Sequence, residues 1–341
     1  MSSEALSVVI VGAGPGGLAV AGALLEVGLN RQDLLVLDKG EVGQAWLDYP
    51  SDTRLLSESK QSKDDNQIAD VSTSEVFPNI PHPNHIMYQK YLDYVAQKLD
   101  IPVRRNTTVE KVVFDHDHKE FVLRLRDETN LRARFVVWAG GMYATPNEDM
   151  NMEGCFIHYA KMPYLEDVEA DEVTVVGSSN GASGVVMMLA KPGRVVRLVV
   201  SREYTIPEPI DCLWKENMQF VKELENQGLV TIVEHFRVKR IYKDGDKYFL
   251  ESEDGQKLTA ADRPIICTGF HPNIERIKDL VTEFCEDRET RIEMDEAHQS
   301  KKQAGLYLAG VIGRLENDNG FIVSFREFGK PIAQNIISQL R

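Results

Sequence analysis

The sequence predicts an α/β fold built from two Rossmann-like dinucleotide-binding domains, and three observations carry that expectation. A valine-rich apolar run, Leu6 to Val11, leads into the glycine turn GAGPGG at residues 12 to 17. A second apolar run, Val173 to Val176, leads into GSSNGAS at residues 177 to 183. After each turn the same kinds of segment follow in the same order, which fits a duplicated nucleotide-binding architecture better than one such domain beside an unrelated partner.

In the first half, Leu6 to Val11 is nearly continuous in apolar residues, the pattern of a parallel strand buried on both faces. Leu18 to Leu29 reads as a helix and Leu34 to Asp38 as the next strand, closing one strand-helix-strand unit. Residues 40 to 83 read as irregular, rich in Ser, Asp and Pro, with the acids at 64, 65 and 70 forming a solvated face. His85 to Leu99 returns to helical spacing. TTVEKVVFD and KEFVLRLRD alternate as an antiparallel pair, and the strand RFVVWAGG follows.

The second half repeats this plan. VTVVGSS is strand and turn, GASGVVMMLA helix, and VVRLVVSR (195 to 202) strand. Residues 215 to 227 are expected to be helical, 236 to 258 to form hairpin strands around KDGDK and EDGQ, and RPIICTGF to close the unit. At the C-terminus, Phe328, Ile332, Ile336 and Leu340 mark an amphipathic helix, preceded by an NDNG turn at 317 to 320.

Gly12, Gly14 and Gly17 satisfy G-x-G-x-x-G, in which the glycines serve a tight turn, close backbone approach to a pyrophosphate, and close packing of helix on strand. The helix start offers free N–H groups to phosphate, so Pro15 and Gly16 belong to the same candidate site. Asp38 ends the second strand, where a carboxylate accepts hydrogen bonds from a ribose. The second turn is degraded: Gly177 and Ser178 are followed by Ser179 in the middle glycine place, then Asn180, Gly181 and Ala182. Its second strand ends in Ser201-Arg202 with no acid, and an arginine there suits the 2′-phosphate of NADPH.

A formal net charge of -14 opposes nucleic acid and anionic membranes as partners, since both require a basic face. The N-terminus lacks a basic leader, and no apolar run approaches the roughly 20 residues of a membrane span, so a cytoplasmic protein is expected. The four cysteines, Cys155, Cys212, Cys267 and Cys285, show no C-x-x-C and suggest neither a disulfide framework nor a metal site.

With both turns placed, the chain resembles the two-dinucleotide-binding-domain flavoproteins, a superfamily that includes thioredoxin reductases and flavin monooxygenases. VVWAGGMYATPN (136 to 147) and IICTGFHPN (265 to 273) are similar to the segments joining the domains, although Gly140-Gly141 replaces the usual Thr-Gly that Thr268-Gly269 keeps. GLYLAG (305 to 310) resembles the strand that returns to the FAD domain. GEVGQAWLDYPSDTRLLSES (40 to 59) resembles the flavin-contacting loop, with Trp46, Tyr49 and Arg54 in family-like places.

That resemblance implies FAD on residues 1 to 165 and 295 to 341, NADPH on an inserted domain at 166 to 294, and a small-molecule substrate. It adds Lys39, Gln44, Trp46, Ala139, Gly140, Gly310 and Val311 to the FAD set, and Thr268 and Gly269 to the cofactor-binding residues. Homodimers are common in the superfamily, and no feature of this sequence specifies one. FIHYAKMPYLEDVEADEVTVVG, SREYTIPEPIDCLWKEN and GLYLAGVIGRLENDNGFIVSFREFGKPIAQNI look most like the reductases proposed to act on bacillithiol disulfide. The cysteine proposed as functional in those reductases lies in the first glycine turn, where this chain has Gly16.

Where thioredoxin reductases place a redox C-x-x-C, this chain reads GCFIHYAK, so a dithiol relay is not expected and Cys155 reads as a buried small hydrophobe. Three readings follow: an FAD-dependent, NADPH-oxidising reductase of a small acceptor, a monooxygenase, and a cofactor-binding sensor without turnover. Gly154 and His158 match part of the monooxygenase motif, and His158 equally reads as a hydrogen-bonded linker residue.

Overall fold

The structure, a computed structural model, describes residues 5–341 apart from 52, 61, 62, 149–154, 163, 206–212, 287, 288 and 316–320. Gly154, Cys212 and the turn at 317 to 320 lie outside the described residues. The chain divides into two compact units: Met1–Leu47, Ser57–Thr145 and His271–Arg341 form the first, and Asp48–Leu56 with Pro146–Phe270 the second.

The first unit opens with β1 (Leu6–Val11), α1 (Pro15–Glu26), β2 (Leu34–Leu37), the short α2 (Gln44–Leu47) and a small hairpin of β3 (Ser59–Lys60) and β4 (Lys63–Asp64). It continues through α3 (His85–Lys98), β5 (Val103–Arg104), β6 (Val109–Asp115), β7 (Glu120–Leu125) and β8 (Asn130–Trp138). The second unit holds β9 (Ile157–His158), β10 (Glu172–Val176), α4 (Asn180–Leu189), β11 (Val195–Val199), α5 (Leu213–Asn226), β12 (Val230–Val233), β13 (Val238–Asp244), β14 (Lys247–Ser252), β15 (Lys257–Ala260) and β16 (Ile265–Ile266). The chain then returns to the first unit with β17 (Glu283–Glu286), β18 (Glu289–Ile292), β19 (Leu306–Leu308) and α6 (Ile322–Leu340).

The first sheet runs β5-β2-β1-β8-β7-β6, and the second β12-β11-β10-β16-β9 beside a separate antiparallel β13-β14-β15. In the first, β8 changes partner along its length. Its start pairs antiparallel with β7, and its end pairs parallel with β19, Leu306 opposite Val136. The β1 residues Val8 to Ile10 are fully buried, as the unbroken apolar run requires. Helix α1 is buried from Gly16 to Leu24 and packs against α6, where a Cβ on Gly329 would stand 2.7 Å from the Ala19 carbonyl oxygen. Only glycine permits that approach.

The two units match residue for residue at their turns. Gly12 N donates to Leu37 O and Gly177 N to Val199 O. Ala139 N donates to Val11 O and Cys267 N to Val176 O, while Thr107 N donates to Asp38 O and Phe236 N to Val200 O. These bonds make Gly12 equivalent to Gly177, Asp38 to Val200 and Ala139 to Cys267. Backbone angles agree: Asn106 and His235 have φ of 52° and 55°, and Gly141 and Gly269 of 65° and 82°. The duplicated order seen in the sequence is a duplicated geometry.

Several sequence expectations need correction. Helix α1 begins at Pro15, so Pro15, Gly16 and Gly17 lie inside its first turn. Strand β11 stops at Val199, which puts buried Val200, not Ser201-Arg202, at the acid's position. Helix α6 starts at Ile322, more than a turn before the apolar stripe that marked it, and it accommodates Pro331.

Residues 40 to 83 are not structureless, and Asp64 is no solvated charge. It accepts from Ser72 Oγ at 2.9 Å, Thr73 N at 2.7 Å and Thr73 Oγ1 at 2.9 Å. Tyr88 donates to Asn66 O at 2.9 Å, and the Tyr91 hydroxyl accepts from Ile68 N at 2.6 Å and donates to Val71 O at 2.5 Å. Helix α3 thereby satisfies backbone groups that a buried loop would otherwise leave orphaned.

Asp64→Ala is expected to cost about 2–3 kcal/mol, because these three donors and Asn66 N lose one charged acceptor. Hydrogen exchange should show faster amides across residues 64 to 76, with β1 unchanged.

Candidate dinucleotide sites

Each glycine of the first turn has a separate steric cause. A Cβ on Gly12, whose φ is 110°, would lie 2.2 Å from the Ala139 carbonyl oxygen, and one on Gly17 would lie 1.9 Å from the Gly12 oxygen. Gly14 differs: nothing of the protein stands within 4 Å of its missing Cβ. That open space lies at the N-cap of α1, which has no side-chain cap, so its first amides remain for an anion. The turn therefore has the form of a pyrophosphate-binding turn: protein contacts account for Gly12 and Gly17, and Gly14 borders open space.

Gly16 answers to a third constraint. Its missing Cβ would lie 2.5 Å from both N and Cα of Gly310, itself at φ 68° after β19. No side chain fits at position 16 without moving backbone, so the chain excludes a cysteine there rather than merely lacking one. Val311, next along, packs partly buried on the core of this unit.

Asp38 sits 8% exposed at the end of β2 and holds two parts of the site together. Its Oδ2 accepts from Ala13 N at 2.8 Å and its Oδ1 from Gly40 N at 3.0 Å. Gly43 N donates to Ala13 O at 3.0 Å, and Gln44 Oε1 accepts from Glu41 N at 3.0 Å, so residues 41 to 44 adjoin the turn. Trp46 is anchored to α3: its ring meets Tyr88 edge-on at 4.7 Å, and His85 Nδ1 lies 2.6 Å from its carbonyl oxygen. Lys39 is exposed.

The unusual Gly140 has a local cause. A Cβ there would stand 2.8 Å from the Trp138 indole nitrogen, and that indole N–H donates to Asn273 O at 2.7 Å. The tryptophan before the turn thus removes the usual threonine.

In the second unit, a Cβ on Gly177 would lie 2.5 Å from Cys267 O, repeating the Gly12 constraint. Ser179 caps α4 with φ −86° and ψ 176°, close to the −85° and −174° of Gly14, a conformation that any residue adopts. The substitution that degrades the motif leaves the turn intact. Ser178, Asn180 and Gly181 complete it, and the Asn180 amide oxygen accepts from Asn217 at 2.9 Å. Arg202 is exposed, with no ion pair among the described residues. Of the loop aromatics and cations singled out, Tyr49 is half-buried and Arg54 exposed.

Thr268 Oγ1 donates to Asn147 O at 2.6 Å, and Gly269 O receives Asn147 N at 2.9 Å. His158 is fully buried: its Nδ1 accepts from Ala160 N at 3.2 Å, which puts the proton on Nε2, 3.1 Å from Gly269 O. Both nitrogens serve the connecting segment. Burial lowers its pKa. Cys155 packs partly buried against the cluster around Phe236, burial drives the Cys267 thiol far above its usual range, and Cys285 is exposed on β17. Among the described residues no group of three or more His, Cys, Asp and Glu could hold a metal ion, and no helix is long and apolar enough to cross a membrane.

Gly16→Cys and Gly16→Ala should each lose about 3 kcal/mol and most of the bound flavin, measured by denaturation and absorbance, because both force the Gly310 backbone away. For His158 the folded chain holds the proton less readily than the unfolded one. Stability should therefore fall as pH drops through about 6.5, and in His158→Gln that slope should flatten.

The sequence profile of the pyridine nucleotide-disulphide oxidoreductase family matches residues 9–310. Bacilliredoxin reductase Bdr of Bacillus subtilis (strain 168) is 27% identical over 343 residues, 96% of each chain. The structure of Bacillithiol Disulfide Reductase Bdr (YpdA) from Bacillus cereus superposes with a TM-score of 0.81 at 25% identity, covering 98% of this chain and 100% of that one. Indole-3-pyruvate monooxygenase YUCCA1 of rice, Oryza sativa subsp. japonica, is 29% identical over 202 residues, 56% of this chain and 48% of its own. The chain thus belongs to the pyridine nucleotide-disulphide oxidoreductase family and is an FAD- and NAD(P)H-dependent flavoprotein oxidoreductase.

Proposed function

We propose that this chain is a reductase in which FAD binds at the first glycine turn and NADPH at the second, and in which a small oxidised compound takes electrons without a protein dithiol. The carrying observation is the contact of Gly16 with Gly310, which shuts a thiol out of the first turn. Flavin supplies two-electron transfer between nicotinamide and acceptor. The protein's part is binding and orientation. The first amides of α1 and α4 bind the two pyrophosphates, Asp38 braces the first turn and faces the ribose, and Arg202 faces the 2′-phosphate.

Similarity to the bacilliredoxin and bacillithiol disulfide reductases extends along nearly the whole chain, whereas that to the rice monooxygenase spans about half of it. This favours a low-molecular-weight disulfide, or a quinone-like compound, as acceptor over oxygen insertion.

Arg202→Ala should raise KM for NADPH about tenfold or more with little change for NADH, since one charged contact is lost. Rapid mixing of the reduced enzyme with oxygen should give slow reoxidation in one phase. A long-lived species between reduced and oxidised flavin supports the monooxygenase instead.

A further inference from the structure

We propose that Glu234 is a specificity-determining residue, an acid beside the 2′-phosphate position that offsets Arg202 and narrows the preference for NADPH over NADH. The proposal rests on the reading of the second turn as the NAD(P)H site.

The internal duplication supplies the argument. Because Asp38 corresponds to Val200 and Thr107 to Phe236, Glu234 stands where the first unit has Arg105. The charges at the two places differ: acid and base in the first unit, neutral residue and acid in the second. In the first unit the acid follows the strand, and the base just after the neighbouring strand pairs with Glu41 at 3.1 Å and Asp93 at 2.5 Å. In the second, neutral Val200 follows the strand, Arg202 comes two residues later, and the acid comes just after the neighbouring strand.

Glu234 is not a free surface charge. Its Oε1 accepts from Tyr204 N at 2.8 Å, two residues past Arg202. Tyr204 is itself fixed, with its ring buried and its hydroxyl 2.9 Å from Ser183 Oγ on α4. The carboxylate is therefore held at the loop that carries Arg202. Of the nearby cations, Arg237 lies 3.7 Å from Glu253, and the Lys222 ammonium lies 5.9 Å from the centre of the Tyr204 ring. A dianionic 2′-phosphate would meet this carboxylate's field, whereas a ribose 2′-hydroxyl carries no charge to repel. In an exposed, salt-screened site the difference amounts to about three- to tenfold in affinity.

The test is calorimetric titration of the FAD-loaded enzyme with adenosine 2′,5′-bisphosphate and with 5′-AMP. Glu234→Gln keeps an acceptor for Tyr204 N and removes only the charge. It should bind the bisphosphate about three- to tenfold tighter, bind 5′-AMP unchanged, and lose that gain at high salt. An unchanged or weakened bisphosphate affinity in Glu234→Gln, with Arg202→Ala still weakening it, overturns the proposal and leaves the NADPH assignment standing. If Arg202→Ala leaves bisphosphate binding unchanged, the assignment of the second turn fails and the proposal fails with it.

Discussion

The close approach of Gly12 to the carbonyl of Ala139, repeated between Gly177 and Cys267, is the constraint on which both glycine turns depend. At 2.2 and 2.5 Å from a would-be Cβ, these carbonyls admit no side chain, and both glycines take positive φ. Only with the strand end pressed so near can the chain reverse and start a helix whose free amides point outward from the sheet. Asp38 then binds amides on both sides of the turn, at Ala13 and Gly40, and residues 41 to 44 fold against it. The first site follows from strand spacing before any ligand is considered.

The same scaffold appears twice with different charges. Backbone bonds, glycine angles and cap conformations agree between the units, so the two turns share one geometry. What differs is the end of the second strand, Asp38 in one and Val200 in the other. A carboxylate there favours a ribose hydroxyl, and a neutral residue followed by arginine tolerates a phosphate. In the proposed assignment, that one difference separates the FAD turn from the NADPH turn.

The strands, both turns and most helices were legible because buried parallel strands are unbroken apolar runs and the glycines are steric necessities. The place of Asp38 just after the second strand was legible from its spacing, but its bonds to Ala13 and Gly40 were not visible, since they depend on how the loop folds back. Residues 40 to 83 looked unstructured because their order comes from Tyr88, Tyr91 and Asp64, three polar groups with no periodic signal. Gly16 and Gly310 lie almost the length of the chain apart, and nothing local announces their contact. The bond of Glu234 to Tyr204 N likewise has no local signal, since it forms only where β11 and β12 lie side by side. The departure at Gly140 had a signal that went unread, the bulky Trp138 two residues before it.

Electron transfer without a protein thiol relay is tested most directly by anaerobic titration of the purified flavoprotein with NADPH, followed by flavin absorbance. Flavin alone stores two electrons, so bleaching should be complete at about one equivalent of NADPH per FAD. A requirement for about two equivalents would reveal a second two-electron centre, such as a disulfide, and would contradict the account.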